Sequence, residues 1–234
     1  MADLLSPKER PILFSGAMVR AILDGRKTMT RRVAKQTASG LVKEPNGHRR
    51  WHPADPDAVT ACPYGSPGDR LWVRETWRVA SSGRNYQSQT TTVYAEHRER
   101  STIKPRSGGA QHQSAFVCSD SESDALLLGA YGGGKAGAWR PSIHMPRWAS
   151  RITLEVTDVR IERLQDISEE DARAEGVEPI AFDWRNYMPE REAPKLFHKT
   201  ARGSFFSLWE SLNGTASLAA NPWVWVVSFR RLQP

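Results

Sequence analysis

The sequence predicts an α+β fold, in which a small mixed β-barrel is flanked by helices and interrupted by long loop insertions. Apolar runs occur in the order strand, helix, several strands, two helices and a final strand, without the regular β–α alternation of a doubly wound sheet. Of the 234 residues, 39% are hydrophobic and nine are tryptophan, which is typical of a chain with a packed core. We expect a single domain over residues 9–233, preceded by a tail of residues 1–8.

The N-terminal segment predicts a strand, a helix and a second strand. RPILFS, residues 10–15, is a short apolar run, and GAMVRAILDG then shows helical spacing that ends at Asp24-Gly25. TMTRRV, residues 28–33, alternates like a strand. Its alternation puts Thr28, Thr30 and Arg32 on one face, and Met29 and Arg31 on the other.

The rest of the chain predicts further strands and two helices. RLWVRETW (70–77), TTTVYAEH (90–97), residues 151–164 and NPWVWVVSFRRL at the C-terminus have strand character. One helix is capped by Ser168, with Asp171 three residues later, and ends at Gly176; another contains SFFSLWES and ends at Asn213-Gly214. Polar segments near 34–61, 98–138 and 178–203 lack a sustained period, and we expect them to be loop insertions.

The charge balance favours a polyanionic partner. A net charge of +7 attracts nucleic acid or nucleotides, although many basic proteins bind nothing specific. We find neither an export signal nor an apolar run that could span a membrane, which predicts a cytoplasmic protein. Cys62 and Cys118 are far apart and are expected to be free thiols, and the dispersed histidines indicate no metal site. We therefore expect no metal or organic cofactor.

Lys27, Thr30 and Glu175 are the candidate catalytic residues. A hydroxyl, an amine and a carboxylate can act as nucleophile, base and orienting group or proton donor. Lysine would need a pKa depressed by about three units to act as a base near neutral pH, and burial beside arginines shifts it in that direction. Spacing alone favours Thr30 as a structural strand residue and Glu175 as an ordinary solvated carboxylate.

Two further groups are candidate binding residues. Glu75 shares a predicted strand face with apolar residues, so it needs a partner; a salt bridge to an N-terminal arginine and a role in a site are both consistent with this. His144, Arg147 and Trp148 follow a proline-rich turn and are consistent with a pocket wall or with a packed loop.

The motifs RPILFSGAMVRAILDGRKTMTRR, GDRLWVRETW, HMPRWASRITLEVTDVRIERLQDISEEDARAEGV and WVWVVSFRRL together resemble the ASCH domains of the PUA-like superfamily, especially their longer phage and prophage versions. The resemblance implies a PUA-like barrel with a cleft for RNA or a nucleoside. Related small bacterial members are amidohydrolases that remove the acetyl group of N4-acetylcytidine with a lysine, a threonine and a glutamate. Matching G-R-K-T-x-T-x-R and the end of the short helix, these roles fall on Lys27, Thr30 and Glu175.

The leading hypothesis is thus a hydrolase that removes an acyl group from a modified pyrimidine nucleoside, free or in nucleic acid. Thr30 would attack the carbonyl, Lys27 would accept its proton, and Glu175 would orient Lys27 or protonate the leaving amine. The rival is a non-catalytic reader of RNA or, less favoured, DNA, with a ribonuclease ranked below both. The expected substrate-binding residues are Arg26, Thr28, Arg32, Trp72, Glu75, His144, Arg147 and Trp148.

Overall fold

The computed structural model describes residues 7–34, 41–43, 49–51, 62–85, 90–97, 113–119, 139–189 and 197–233. Helices and strands are both present, which confirms the α+β class. The strands are β1 (Glu9–Leu13), β2 (Met29–Val33), β3 (Leu41–Lys43), β4 (Arg49–Trp51), β5 (Arg70–Arg74), β6 (Trp77–Asn85), β7 (Thr90–His97), β8 (Gln113–Ser119), β9 (Thr153–Arg163), β10 (Pro179–Ile180), β11 (Asp183–Arg185), β12 (Phe197–His198) and β13 (Trp223–Leu232). The helices are α1 (Gly16–Leu23), α2 (Glu169–Ala174), α3 (Ala201–Asn213) and α4 (Thr215–Ala219).

The largest sheet has five strands in the order β1-β5-β9-β13-β2. Smaller sheets are formed by β6-β7-β8, β10-β11-β12 and β3-β4. Among the strands that are described, none of these sheets closes into a barrel. The five-stranded sheet ends at β1 and β2, which follow each other in the chain through α1 and are not paired with each other.

The described residues fall into two compact units. Unit 1 comprises those within 1–10, 20–71 and 154–234, and unit 2 those within 11–19 and 72–153. Strands β1, β5 and β9 each contribute residues to both units. A single domain over 9–233 stays a prediction.

The core of unit 1 is formed by β2, β13, α2 and α3. Phe205 and Trp209 of α3 pack with Val224 and Val226 of β13 and with Met29 of β2. The predicted alternation in β2 is confirmed, because Arg31 is paired with the core residue Val226 while Thr30 is paired with Val227 on the opposite face. The predicted start of α2 and the predicted end of α3 are confirmed: Ser168 Oγ accepts from the Asp171 backbone N–H, and Gly214 ends α3 at φ +84°. α3 begins at Ala201, inside the segment that was expected to be a loop.

Unit 2 contains the antiparallel sheet β6-β7-β8. The stretch RLWVRETW is interrupted, because β5 ends at Arg74 and β6 begins at Trp77. Trp77 is fully buried, and the ring of Trp148 meets it edge-on at 5.5 Å between centroids. The interruption leaves Glu75 and Thr76 between two strands, where their side chains belong to neither ladder.

The segments expected to be loop insertions contain short strands. The hairpin β3-β4 lies within 34–61, β8 within 98–138, and β10 to β12 within 178–203. These strands are two to seven residues long and offer few alternating positions, so their sequence period is weak and pairing with a neighbour defines them. In the part of the chain that is described, no helix combines the length and apolar character needed to cross a bilayer.

Candidate functional site

Lys27 and Glu175 form a buried ion pair in unit 1. The Lys27 ammonium donates to Glu175 Oε2 at 2.8 Å, to the Glu175 carbonyl at 2.8 Å and to the Met29 carbonyl at 2.7 Å. An ammonium group has three N–H donors, so each of them has an acceptor here. The Lys27 side chain is 0% exposed and that of Glu175 4% exposed, so the pair is sealed from solvent.

Local backbone geometry brings these two residues together. Lys27 and Glu175 form an isolated antiparallel β-bridge, and the Thr28 N–H donates to the Ala174 carbonyl. Gly176 follows at φ +82°, and a Cβ atom there would lie 2.7 Å from Lys27 Cβ. Only glycine accommodates both the positive φ and this close approach.

Burial lowers the pKa of Lys27 below its ordinary value. The Glu175 carboxylate opposes this shift, and the arginines Arg31 and Arg32 add to it. The direction agrees with the requirement for a lysine base.

Arg31 extends the pair into a larger charge network. Its guanidinium contacts Asp171 Oδ2 at 2.6 Å, Glu162 Oε2 at 3.0 Å and Glu175 Oε1 at 3.5 Å. Arg160 also contacts Glu162 and Asp171, and the exposed Asp158 lies 3.6 Å from Arg160. The cations Lys27, Arg31 and Arg160 thus each contact at least one of the carboxylates Glu162, Asp171 and Glu175, and the exposed Asp158 lies at the edge of this network.

Thr30 is buried, at 3% exposed, on the face of β2 opposite to Met29 and Arg31. The face with Arg31 is the one that reaches the Glu175 carboxylate. The structure therefore brings Lys27 and Glu175 together and puts Thr30 on the other face of the strand. The catalytic roles of all three stay predictions.

A cavity of about 510 Å³ lies within unit 2. This volume is within the range of roughly 300–1,000 Å³ that small-molecule sites occupy. Its apolar wall includes Phe14, Val19 and Trp139, and its polar groups come from Ser15, Glu75, Thr76, Arg140 and Ser142. Lys27, Thr30 and Glu175 belong to unit 1 and are not among the described residues that line it.

Glu75 is the buried charge of this cavity. It is 5% exposed, and Arg151 forms a bidentate ion pair with its carboxylate. Arg151 Nη2 donates to Oε1 at 2.8 Å, and Nε donates to Oε2 at 3.0 Å. The structural alternative for Glu75 named an N-terminal arginine as its partner, and this was wrong: the partner is Arg151, 76 residues later. Glu75 thus forms a salt bridge and also lines the cavity, and its role in binding stays a prediction.

Trp139 and Arg140 line the cavity and were not selected from the sequence, where they directly follow the loop insertion expected near 98–138. The Arg78 guanidinium lies 4.7 Å from the centroid of the Trp139 ring. Arg140 is held by two backbone hydrogen bonds with Trp77. The Trp-Arg-Pro sequence was the available signal, because an aromatic residue and a cation adjoin a rigid turn.

The other predicted binding residues are dispersed. Arg26 and Thr28 are exposed, Arg32 is half-buried in β2, and Trp72 is buried with the Arg74 guanidinium 4.8 Å from its ring centroid. His144 and Arg147 are exposed in the turns that follow Pro141, and Trp148 is half-buried against Trp77. None of these seven is among the described lining residues of the cavity.

Within the described residues, no three histidine, cysteine, aspartate or glutamate side chains come together as a metal site. Cys62 is a buried free thiol whose pKa is raised by burial, and the side chain of Cys118 lies outside the described residues. Comparisons of the chain with protein-family models, curated proteins and solved structures give no match.

Proposed function

We propose that this protein binds a nucleoside, or a single unpaired base of RNA, in the cavity of unit 2. The observation that carries the proposal is the buried, arginine-anchored carboxylate of Glu75, a residue that lines a cavity also lined by Trp139 and Arg140. Membership of the ASCH branch of the PUA-like superfamily is part of the proposal and rests on the sequence motifs alone.

Each of these groups matches a part of a nucleotide. Trp139 offers a flat surface for base stacking, which is the usual way in which proteins hold unpaired bases. Arg140 offers a cation for a phosphate or for a carbonyl of the base, and Glu75 offers an acceptor for an N–H group. The net charge of +7 adds a long-range attraction for the polyanion.

Fluorescence anisotropy of a labelled, mixed-sequence single-stranded RNA octamer tests this proposal. Trp139→Ala removes a stacking partner, so we expect affinity to fall roughly 5- to 150-fold, the equivalent of about 1–3 kcal/mol per stacked base. Phe182→Ala is the matched control, because Phe182 is fully exposed and belongs to unit 1. Its affinity should equal that of the wild type.

A second pair of variants distinguishes the loss of a cation that lines the cavity from the loss of a positive charge elsewhere on the protein. Arg140→Ala and Arg230→Ala each remove one positive charge, but only Arg140 lines the cavity. We expect a larger loss for Arg140→Ala at every salt concentration. Equal losses in both variants, or wild-type affinity in Trp139→Ala, would contradict binding in this cavity.

A second candidate function is the hydrolysis of an N4-acyl amide. It is supported by the contact of Lys27 with Glu175 at 2.8 Å and by the lowered pKa of the buried amine. This reaction requires neutral Lys27 and Thr30 to meet, whereas Thr30 lies on the face of β2 opposite to Arg31. Thr30 Oγ would bond to the acyl carbon as the bond from that carbon to N4 breaks, Lys27 would pass the hydroxyl proton to the leaving amine, and water would then release the acid from the acyl-threonine.

Incubation with N4-acetylcytidine, followed by chromatography of cytidine, tests the second candidate. Thr30→Val keeps the shape of this buried side chain and removes the nucleophile, so turnover should be lost while the fold is retained. Thr30→Ser is the control that should retain turnover. If wild-type protein releases no cytidine, the hydrolase is excluded for this substrate; if Thr30→Val is as active as an active wild type, Thr30 is not the nucleophile.

A further inference from the structure

We infer that Glu75 determines the specificity of the unit 2 cavity and that it selects bases with an exocyclic amino group, such as cytosine and adenine, over uracil. This inference rests on the proposed function, because it concerns which base the same cavity holds. It follows from how the Glu75 carboxylate is anchored and from what that anchoring leaves available.

The bidentate ion pair with Arg151 fixes the Glu75 carboxylate and uses one acceptor position on each of its two oxygens, at the end of the group that faces Arg151. One N–H of Arg151 reaches each carboxylate oxygen, at 2.8 and 3.0 Å, and the Glu75 backbone N–H donates to Met145 Sδ at 3.1 Å. An ionised carboxylate has about four acceptor positions, so each oxygen keeps the capacity for a second hydrogen bond. That remaining position lies to the side of the ion pair and is an acceptor only.

The occupied end excludes one mode of base recognition. A base that offers two adjacent N–H groups, as guanine does at its pairing edge, would need the end of the carboxylate that Arg151 fills. A single N–H donor can still approach either oxygen from the side. Glu75 is thus suited to one hydrogen bond from the ligand rather than to a bidentate pair.

The charge of the pair also restricts the ligand. The side chains of Arg151 and Glu75 are 9% and 5% exposed, and the guanidinium already neutralises the carboxylate. A second cation at this site would leave an unbalanced buried positive charge. The complement of Glu75 is therefore a neutral N–H donor.

An exocyclic amino group meets these requirements and a carbonyl does not. Cytosine and uracil have the same shape, but cytosine has an amino group at position 4 where uracil has a carbonyl oxygen. The uracil carbonyl would face the carboxylate oxygen and leave that acceptor unsatisfied. The uracil N3–H lies between two carbonyl groups, so its approach would bring a carbonyl against the carboxylate as well.

Titration calorimetry with cytidine and uridine, and then with adenosine and inosine, tests the inference. We expect wild-type protein to bind cytidine roughly 5- to 150-fold tighter than uridine, as follows from a cost of about 1–3 kcal/mol for an unsatisfied buried acceptor. Adenosine should likewise bind tighter than inosine, in which a carbonyl replaces the amino group. These wild-type measurements need no variant to fold.

The variant Glu75→Gln tests whether this side chain causes the preference for cytidine over uridine. The glutamine amide supplies a donor as well as an acceptor, so the cytidine-to-uridine ratio should fall to about one or invert. Glu155→Gln is the matched control, because Glu155 also pairs with an arginine, Arg230, but belongs to unit 1. Its ratio should equal that of the wild type, and circular dichroism checks the fold of both variants.

The outcomes separate this inference from the proposed function. If wild-type protein binds no nucleoside and no RNA, the proposed function fails and the inference fails with it. If cytidine and uridine bind equally well, the proposed function stands and the selection by Glu75 is overturned. A preference for cytidine that persists in folded Glu75→Gln would also overturn the inference.

Discussion

Replacing Lys27 by methionine is expected to destabilise the protein strongly. Methionine is flexible and similar in length, so it fills the space of a side chain that is 0% exposed. The substitution removes the ammonium group and leaves the Glu175 carboxylate in the core. Arg31 remains near it, but its Nη1 is 3.5 Å from Glu175 Oε1, which is a weaker contact than the lost one at 2.8 Å.

The magnitude follows from the burial of the pair. Removing one partner of a buried ion pair costs about 3–5 kcal/mol, and we expect the lower end because Arg31 compensates in part. Lys199→Met is the control: Lys199 contacts Asp183 at a similar distance, 2.7 Å, but its side chain is 87% exposed. Loss of that surface pair should cost about 1 kcal/mol or less.

Urea unfolding followed by circular dichroism measures these free energies. The double variant Lys27→Met, Glu175→Gln removes both charges of the pair, so it should recover most of the stability that Lys27→Met loses. If Lys27→Met is no more destabilising than Lys199→Met, or if the double variant is less stable than Lys27→Met, the pair does not have the structural role assigned to it.

The lowered pKa of Lys27 adds a dependence on pH. Burial puts the folded pKa below the unfolded value of about 10.4. Between these two values the folded protein binds fewer protons than the unfolded chain, so the free energy of unfolding rises with pH across that window. Wild-type protein should show this rise relative to Lys27→Met as the pH approaches 10; a constant difference between them would contradict the direction of the shift.

Three further substitutions and reactions test particular contacts. Gly176→Ala should lower the free energy of unfolding by about 3 kcal/mol or more, because the added Cβ would lie 2.7 Å from Lys27 Cβ and φ is +82°. Gly25→Ala is the control: φ is +74° but no atom lies within 4 Å of the added Cβ, so urea unfolding should show a loss of only about 1–2 kcal/mol. Ala181→Gly should raise the free energy of unfolding by up to about 1 kcal/mol, because Ala181 has φ 51° in the turn between β10 and β11, and a decrease would refute this. In a Cys118→Ser background, Cys62 should be alkylated more slowly at pH 8 in folded than in urea-unfolded protein, because burial raises the pKa of its thiol; equal rates would contradict that.

Elements with strong local signals were predictable from the sequence. Strand alternation in TMTRRV identified the two faces of β2, and the Ser168 cap with Gly176 bounded α2. Glycine also marked the end of α3 at Gly214. Caps, terminal glycines and strand alternation depend on residues that are close in sequence, so they can be identified without knowing how the rest of the chain folds. β8 and the strands β10 to β12 lack such signals and exist through pairing with their neighbours.

The candidate sites were only partly predictable. Spacing and the family resemblance selected Lys27 and Glu175, and the structure joins them across 148 residues. The strand-face pattern selected Glu75, but the partner named in its structural alternative, an N-terminal arginine, was wrong. Trp139 and Arg140 lie in no periodic pattern, and they became candidates because they line a cavity together with residues from two other segments of the chain, among them Phe14, Val19 and Glu75.

By itself, the sequence determined the α+β class, the order of the main elements, the faces of β2 and the presence of buried ionic groups that need partners. Only the tertiary structure decided that Arg151 anchors Glu75, that the Arg31 face of β2 is the one that reaches Glu175, and which residues line the cavity. Periodicity and capping are properties of neighbouring residues, whereas an ion pair or a cavity wall requires the whole chain to bring distant segments within a few ångströms.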